Sequence, residues 1–235
     1  CPRPTCSVST SVMTGDPYTS PEFAKAALVT IDTQRDVLDG APFEIAGTSA
    51  ALTPIRALLE AFREAGRPIV HVVRLYQPDG VNADLSRRRA LEEGLRVLVA
   101  GDRGSELAEE LLPQPDVDLN PELLLAGGIQ SLGPNEVAIY KPRWGAFYRT
   151  PLEAHLRDLS VSTLVFSGCN FPNCPRTSVY EASERDFRVV VVEDAISGLY
   201  DRGRSELKGI GVSVLTSAEV VQAVQVAAGD PLPSA

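Results

Sequence analysis

The stretch STLVFSGCNFPNCPRTSVYEASERDFRVVVVEDA, residues 162–195, decides the fold. The apolar, β-branched run STLVFSGC (162–169) ends in a loop. CPRTSVYEASERDF (174–187) then places Pro175 at the first position of a helix, where its missing N–H costs nothing, and RVVVVEDA (188–195) is a second apolar run. Strand, helix and strand in that order make a βαβ unit, whose parallel strands are apolar throughout because both faces are covered.

The same rhythm extends in both directions. AALVTID (26–32), TSAALTPIRALLEAFREAG (48–66) and RPIVHVVRLY (67–76) read as strand, helix closed by Gly66, and strand. NEVAIYKP (135–142), PLEAHLRDL (151–159), a helix near 201–208, GVSVLT (211–216) and AEVVQAVQVAA (218–228) continue it. Six strands each lead to a helix. This predicts an α/β fold with a doubly wound, mainly parallel six-stranded sheet flanked by helices, Rossmann-like in its layering. Residues 25–228 read as one domain. Segment 77–134 interrupts the alternation, with helices at 84–93 and 105–111 among Pro/Asp-rich loops, and reads as an insertion or lid beside the site. Residues 1–24 read as an N-terminal extension or arm and 229–235 as a flexible tail. Met13 is the only methionine, so residues 1–12 are set aside as an upstream extension.

At 235 residues, 44% hydrophobic and 23% charged, with a mean hydropathy of −0.01, the composition is that of a globular chain able to bury a large core. Twenty-two Lys and Arg against 31 Asp and Glu give a net charge of −9. That field repels phosphate backbones and anionic lipid, so nucleic acid and membrane are excluded as expected partners. A small-molecule substrate remains, and the acidic surface favours a cationic one. No apolar run approaches a membrane span and no basic segment precedes an apolar stretch at the start, so the expected location is cytoplasmic.

Cofactor chemistry finds little support. Cysteines 1, 6, 169 and 174 form two C-x4-C pairs, unlike the C-x2-C spacing of zinc knuckles and redox sites. Two histidines, His71 and His155, cannot supply a three-histidine metal site, and IDTQRDVLDG at the first strand end lacks both glycine-rich phosphate motifs. Neither metal nor cofactor is expected. His71, inside an apolar strand, reads as a core histidine.

Ligands of such sheets bind beyond the carboxyl ends of the strands. Three polar residues stand there: Asp32 after AALVTI, Lys141 after NEVAIY, and Cys174 just past STLVFSGC at a helix start. A helix N-terminus favours a thiolate by up to ~2 kcal/mol, and an ammonium about 4 Å away adds roughly 4 kcal/mol at an effective dielectric near 20. Together they predict a Cys174 thiol brought from about 8.5 to near neutrality, hence a nucleophile. Arg74 and Tyr76 after the second strand, Trp144, Phe147 and Tyr148 after Lys141, and Asn170 and Phe171 before Cys174 are the expected substrate-binding residues. Cys169 reads as structural.

ALVTIDTQRDVLDG, IYKPRWGAFYRTPLEAHLR and LVFSGCNFPNCPRTSVYEASERDFRVVVVEDA, in that order, resemble the Asp, Lys and Cys segments of the isochorismatase-like cysteine hydrolases, which include nicotinamidases and N-carbamoylsarcosine amidase. The resemblance spans roughly residues 25–217. It implies an isochorismatase-type sandwich and an Asp32–Lys141–Cys174 triad in which Asp32 takes the thiol proton, Lys141 holds the thiolate and Cys174 attacks an amide-like carbonyl. It further implies a cis peptide at Cys169–Asn170, an oxyanion hole from the amides of Asn170 and Cys174, and a homo-oligomer, dimer or tetramer. The chain departs from the nicotinamidase pattern in having no histidine after the second strand, and it carries Phe171 where a threonine is common. The expected activity is therefore metal-independent cleavage of a C–N bond in a small amide, ureido or lactam substrate. The alternatives are vinyl-ether hydrolysis with Asp32 as acid, and a catalytically silent binding or scaffold domain.

Overall fold

The computed structural model describes residues 16–229; residues 1–12 and most of the expected tail lie outside them. Seven strands form one sheet: β1 (Ala26–Ile31), β2 (Ile69–Val73), β3 (Ile129–Gly133), β4 (Glu136–Tyr140), β5 (Thr163–Gly168), β6 (Arg188–Ile196) and β7 (Ser213–Leu215). Their order is β3-β4-β2-β1-β5-β6-β7, parallel throughout except for the antiparallel β3. The helices are α1 (Thr48–Glu64), α2 (Leu85–Glu92), α3 (Pro121–Leu125), α4 (Leu152–Asp158), α5 (Cys174–Ser183), α6 (Asp201–Gly209) and α7 (Ser217–Ala228). None is long and apolar enough to cross a membrane.

Alternation along the strands divides the core into two layers. In β1, Ala26 and Leu28 join Leu58, Leu59 and Phe62 of α1 and Val220 and Val224 of α7, while Ala27, Val29 and Ile31 join Leu156 of α4, Val179 of α5 and Leu207 of α6. Each large aliphatic or aromatic side chain buried this way contributes roughly 1.5–3 kcal/mol. β1 lies at the centre and is wholly enclosed.

The largest polar cluster inside the sheet is paired, whereas the Ser167 hydroxyl on β5 has no partner among the described residues. His71 on β2 bonds Thr30 through Nδ1 and Glu136 through Nε2, both at 2.8 Å, and Arg63 donates two bonds to the same carboxylate at 2.7 and 2.8 Å. The core-histidine expectation holds for His71. Glu136 is held down to about 2: burial works against its charge, but the bonds from Arg63 and His71 outweigh it.

Three expectations are corrected. The sheet has seven strands, because segment 77–134 supplies β3 as an edge beside β4; it is part of the framework as well as a border of the site. The helix expected at 105–111 is a pair of 3-10 turns, Arg103–Ser105 and Glu109–Leu111, since Leu107 is drawn into a bridge with Gln34. Residues 16–24 do not stand off as an arm. The Glu22 amide donates to Thr163 at 2.9 Å and its carboxylate pairs with Arg188 at 3.1 Å, closing the start of β5 and β6.

Candidate active site

The carboxyl ends of β1, β4 and β5 meet at one rim. Asp32 follows β1 directly, its amide donating to Val72 O and its φ of +47° turning the chain away from the sheet. Such a conformation in a residue other than glycine is uncommon and is held by its surroundings. Gln34 supplies part of that hold: its buried amide group donates to Arg74 O and accepts from the Arg74 amide, both at 2.9 Å, tying the ends of β1 and β2 together. Lys141 follows β4, anchored by its amide on Val73 O, with its side chain wholly buried. Lys141 Nζ lies 2.8 Å from Asp32 Oδ2 and 3.3 Å from the Arg143 carbonyl.

Gly168 at the end of β5 has φ +109°, and a Cβ there would sit 2.2 Å from Ile31 O, so only glycine lets β5 run this close to β1. The next residues form a tight loop, and α5 begins at Cys174 with Pro175 behind it. No cis peptide occurs among the described residues, so the Cys169–Asn170 bond is trans, against the expectation. The change of direction is taken up instead by Gly168 and by Asn173, at φ −115° and ψ −101°. The amides of Asn170 and Cys174 donate to no backbone carbonyl.

Asp32, Cys169, Asn170, Asn173 and Cys174 line one cavity of about 70 Å3 together with Arg74 and Tyr76 from the end of β2 and Trp144 from the loop after β4. A larger hollow of about 670 Å3 next to it shares Tyr76 but carries none of the three strand-end residues. Among the described residues no three His, Cys, Asp or Glu side chains are grouped to hold a metal.

The resting electrostatics correct one expectation. Cys174 is pushed up to about 11, first by burial and then by the charge of Asp32, with Lys141 opposing. Because the ammonium already pairs with Asp32, its field at the sulfur is largely cancelled, and the resting group is a thiol. The Cys169 thiol, raised by burial, donates to the Asp32 carbonyl at 3.1 Å and serves as a brace. Burial likewise raises the Tyr76 hydroxyl, which donates to Asp84 Oδ2 at 3.2 Å. Burial opposes the Arg74 charge, but Asp32, Tyr76, Cys174 and Asp84 together hold that guanidinium above its ordinary value.

Of the expected substrate-binding residues, Arg74, Tyr76, Trp144 and Asn170 face the cavity. Phe147 and Phe171 do not. Phe147 packs against Phe187 at 6.0 Å between ring centroids, and Phe171 is buried against Tyr200 at 5.6 Å, both inside the core layer under α4–α6. They lie next to Lys141 and Cys174 in sequence, but the loops that carry them fold inward. Tyr148 is half exposed and flanks a shallow depression outside, together with Trp144 and Leu85. Sequence reasoning missed the opposite wall: Val37, Phe43 and Ile45 from the loop after β1, and Asp84, Arg87, Val97 and Leu98 from and after α2. The position of Asp84 as the N-cap residue of α2 was the only local signal.

The profile of the isochorismatase domain family matches residues 26–120 and 125–219. A probable inactive nicotinamidase of Arabidopsis thaliana is 28% identical over 197 residues, covering 81% of this chain and 91% of that protein. A ureidoacrylate amidohydrolase of Methylobacterium radiotolerans is 26% identical over 191 residues, covering 73% of this chain and 67% of its own. The crystal structure of an isochorismatase family protein from Desulfovibrio vulgaris superimposes with a TM-score of 0.72 at 30% identity, covering 86% of this chain and 98% of that one.

Proposed function

The chain belongs to the isochorismatase family, and we propose that within it the protein is a metal-independent cysteine hydrolase that cleaves a C–N bond of a small amide, ureido or lactam substrate. Amidohydrolases among its relatives support a hydrolase of amide-type substrates. The observation that carries the finer reading is the convergence of three distant side chains: Asp32 and Cys174 on one small cavity, with Lys141 2.8 Å from Asp32 behind it.

The chemistry follows from the resting charges. Asp32 Oδ1 is buried and has no hydrogen-bond partner among the described residues, so it can receive a proton. As the substrate carbonyl approaches, the Cys174 proton moves to Asp32 while sulfur bonds to the carbonyl carbon, so charge never accumulates on a sulfur that burial disfavours as an anion. The carbonyl oxygen takes the negative charge, and the Asn170 and Cys174 amides are the donors proposed to receive it. Collapse breaks the C–N bond, Asp32 returns the proton to the departing nitrogen, and a thioester remains on Cys174. Water, deprotonated by Asp32, then attacks the thioester, releasing the acid and restoring the thiol. Lys141, 2.8 Å from Asp32, holds that carboxylate in place between turns.

The inactive designation of the Arabidopsis relative concerns that protein; here all three side chains are retained and juxtaposed. Mass spectrometry during turnover of a slow amide should detect an acyl group on the peptide containing Cys174. Full turnover by a Cys174→Ala variant would instead favour vinyl-ether chemistry led by Asp32, and no turnover across an amide panel by the native protein would favour a silent domain.

A further inference from the structure

We propose that the substrate carries a carboxylate, or an equivalent small anionic group, and that Arg87 is the residue that selects it. This rests on the cysteine hydrolase reading above and names the substrate class of the same cavity.

The charges around the cavity cancel in pairs, with one left over. Asp32 is met by Lys141 at 2.8 Å. Asp84 lies 3.5 Å from Arg74 Nη1 and is further satisfied by the Ser86 hydroxyl at 2.5 Å and the Tyr76 hydroxyl at 3.2 Å. Arg74 is itself occupied, donating to the Pro142 carbonyl at 2.6 Å. Arg87 differs. Its guanidinium lines the cavity, stacks 4.5 Å from the centroid of the Phe43 ring, and among the described residues has no carboxylate within 4 Å and no side-chain hydrogen bond.

Stacking on an aromatic face fixes the plane of the fork and leaves its N–H edge free, the arrangement in which arginine binds a carboxylate in bidentate fashion. Phe43 belongs to the loop after β1 and Arg87 to α2, so the pair bridges the two walls on the side of the cavity that the catalytic residues do not supply. An anionic group there leaves the other end of a short substrate for Cys174, and the cavity's size suits a compact molecule of a few non-hydrogen atoms. The overall charge of −9 favours a cation when the whole surface is summed. The local excess within the cavity is of the opposite sign, and at contact distance a local charge outweighs a screened distant field.

Two reagent pairs test this. Iodoacetate and iodoacetamide alkylate the same sulfur, with iodide leaving and the thiol proton lost, and differ in the carboxylate. The rate ratio at Cys174, divided by the ratio for free cysteine, should exceed one in the native protein. It should fall about 10- to 100-fold in Arg87→Leu, be partly restored in Arg87→Lys, and stay unchanged in Arg89→Leu, which removes the same charge from the outer face of α2. Turnover of succinamate against succinamide should follow the same order in kcat/KM.

A native ratio at or below that of free cysteine, or a ratio insensitive to both Arg87 variants, overturns the anion proposal while selective labelling of Cys174 leaves the hydrolase reading standing. Labelling of Cys174 by neither reagent overturns that reading and this one with it. Should Arg87→Leu not fold, protection of the native thiol from iodoacetamide by acetate but not by acetamide carries the same information, and equal protection refutes the proposal.

Discussion

Lys141 Nζ and Asp32 Oδ2 stand 2.8 Å apart, with the lysine side chain wholly enclosed and the carboxylate nearly so. In the proposed mechanism the pair handles the proton, and it is also a structural commitment, because the lysine is cut off from solvent and the carboxylate is its charged partner. Lys141→Met leaves the Asp32 carboxylate buried and uncompensated, a change that typically costs about 3–5 kcal/mol. Urea denaturation should show an unfolding free energy lowered by that amount, read as a fall in midpoint at unchanged slope. The double variant Lys141→Met, Asp32→Asn should recover part of the stability and none of the activity.

Burial first, and then the charge of Asp32, set the pH behaviour of Cys174. A thiol pushed up to about 11 is almost entirely protonated at pH 7, so the alkylation rate of Cys174 should climb through pH 9, reach half its limit near 11 and level off only above it. Asp32→Asn removes the charge that repels the thiolate. Labelling at pH 8 should then become faster as turnover is lost, an opposition that mass-mapped alkylation and an activity assay can read side by side.

Glu136 carries an acid-stability signature. Its pKa of about 2 in the fold lies below the ordinary glutamate value of 4.5, so above pH 4.5 the carboxylate is ionised in both states and the stabilisation is complete. As pH falls from 4.5 towards 2 the unfolded chain takes up a proton first and the stabilisation is lost, about 3 kcal/mol in all. In Glu136→Gln, the fall in stability across that window should be visibly shallower, and the variant should be less stable at pH 7 because Arg63 and His71 lose their shared acceptor.

Gly168→Ala should destabilise by about 3 kcal/mol, since the added methyl meets the backbone of β1, which has no room to yield. Circular dichroism during heating would record it, and the rate of Cys174 labelling should change with it, because the same turn aims the loop.

How far the sequence discloses this molecule depends on burial. The central strands β1, β2 and β5 announce themselves because both faces are enclosed; β1 reads AALVTI and every residue is buried. β3 reads IQSLG, buries only Leu132 and pairs on one side through a register shift, so nothing in its pattern distinguishes it from loop. Asp32 and Lys141 are legible because each follows an apolar run at a strand end, and Cys174 because it stands with Pro175 at a helix start just beyond one. Arg87 is not. It sits within the run Arg87, Arg88, Arg89, where a triple charge reads as a solvated face, and only the fold reveals that the first of the three turns inward onto Phe43. The resting thiol also escaped, since the pairing that neutralises Lys141 is a matter of distances that no spacing encodes.

β1 pairs with β5 across a wide interval of chain, Ala26 standing opposite Thr163, 137 residues later. A ribosome adding about 5–20 residues per second needs roughly 7–30 s to cover that interval. Throughout that time β1, every residue of which ends up buried, has one hydrogen-bonding flank with no neighbour to cover it. The nascent chain thus carries an open strand edge until β5 emerges, only a few residues ahead of Cys174, and is exposed to aggregation over that whole interval.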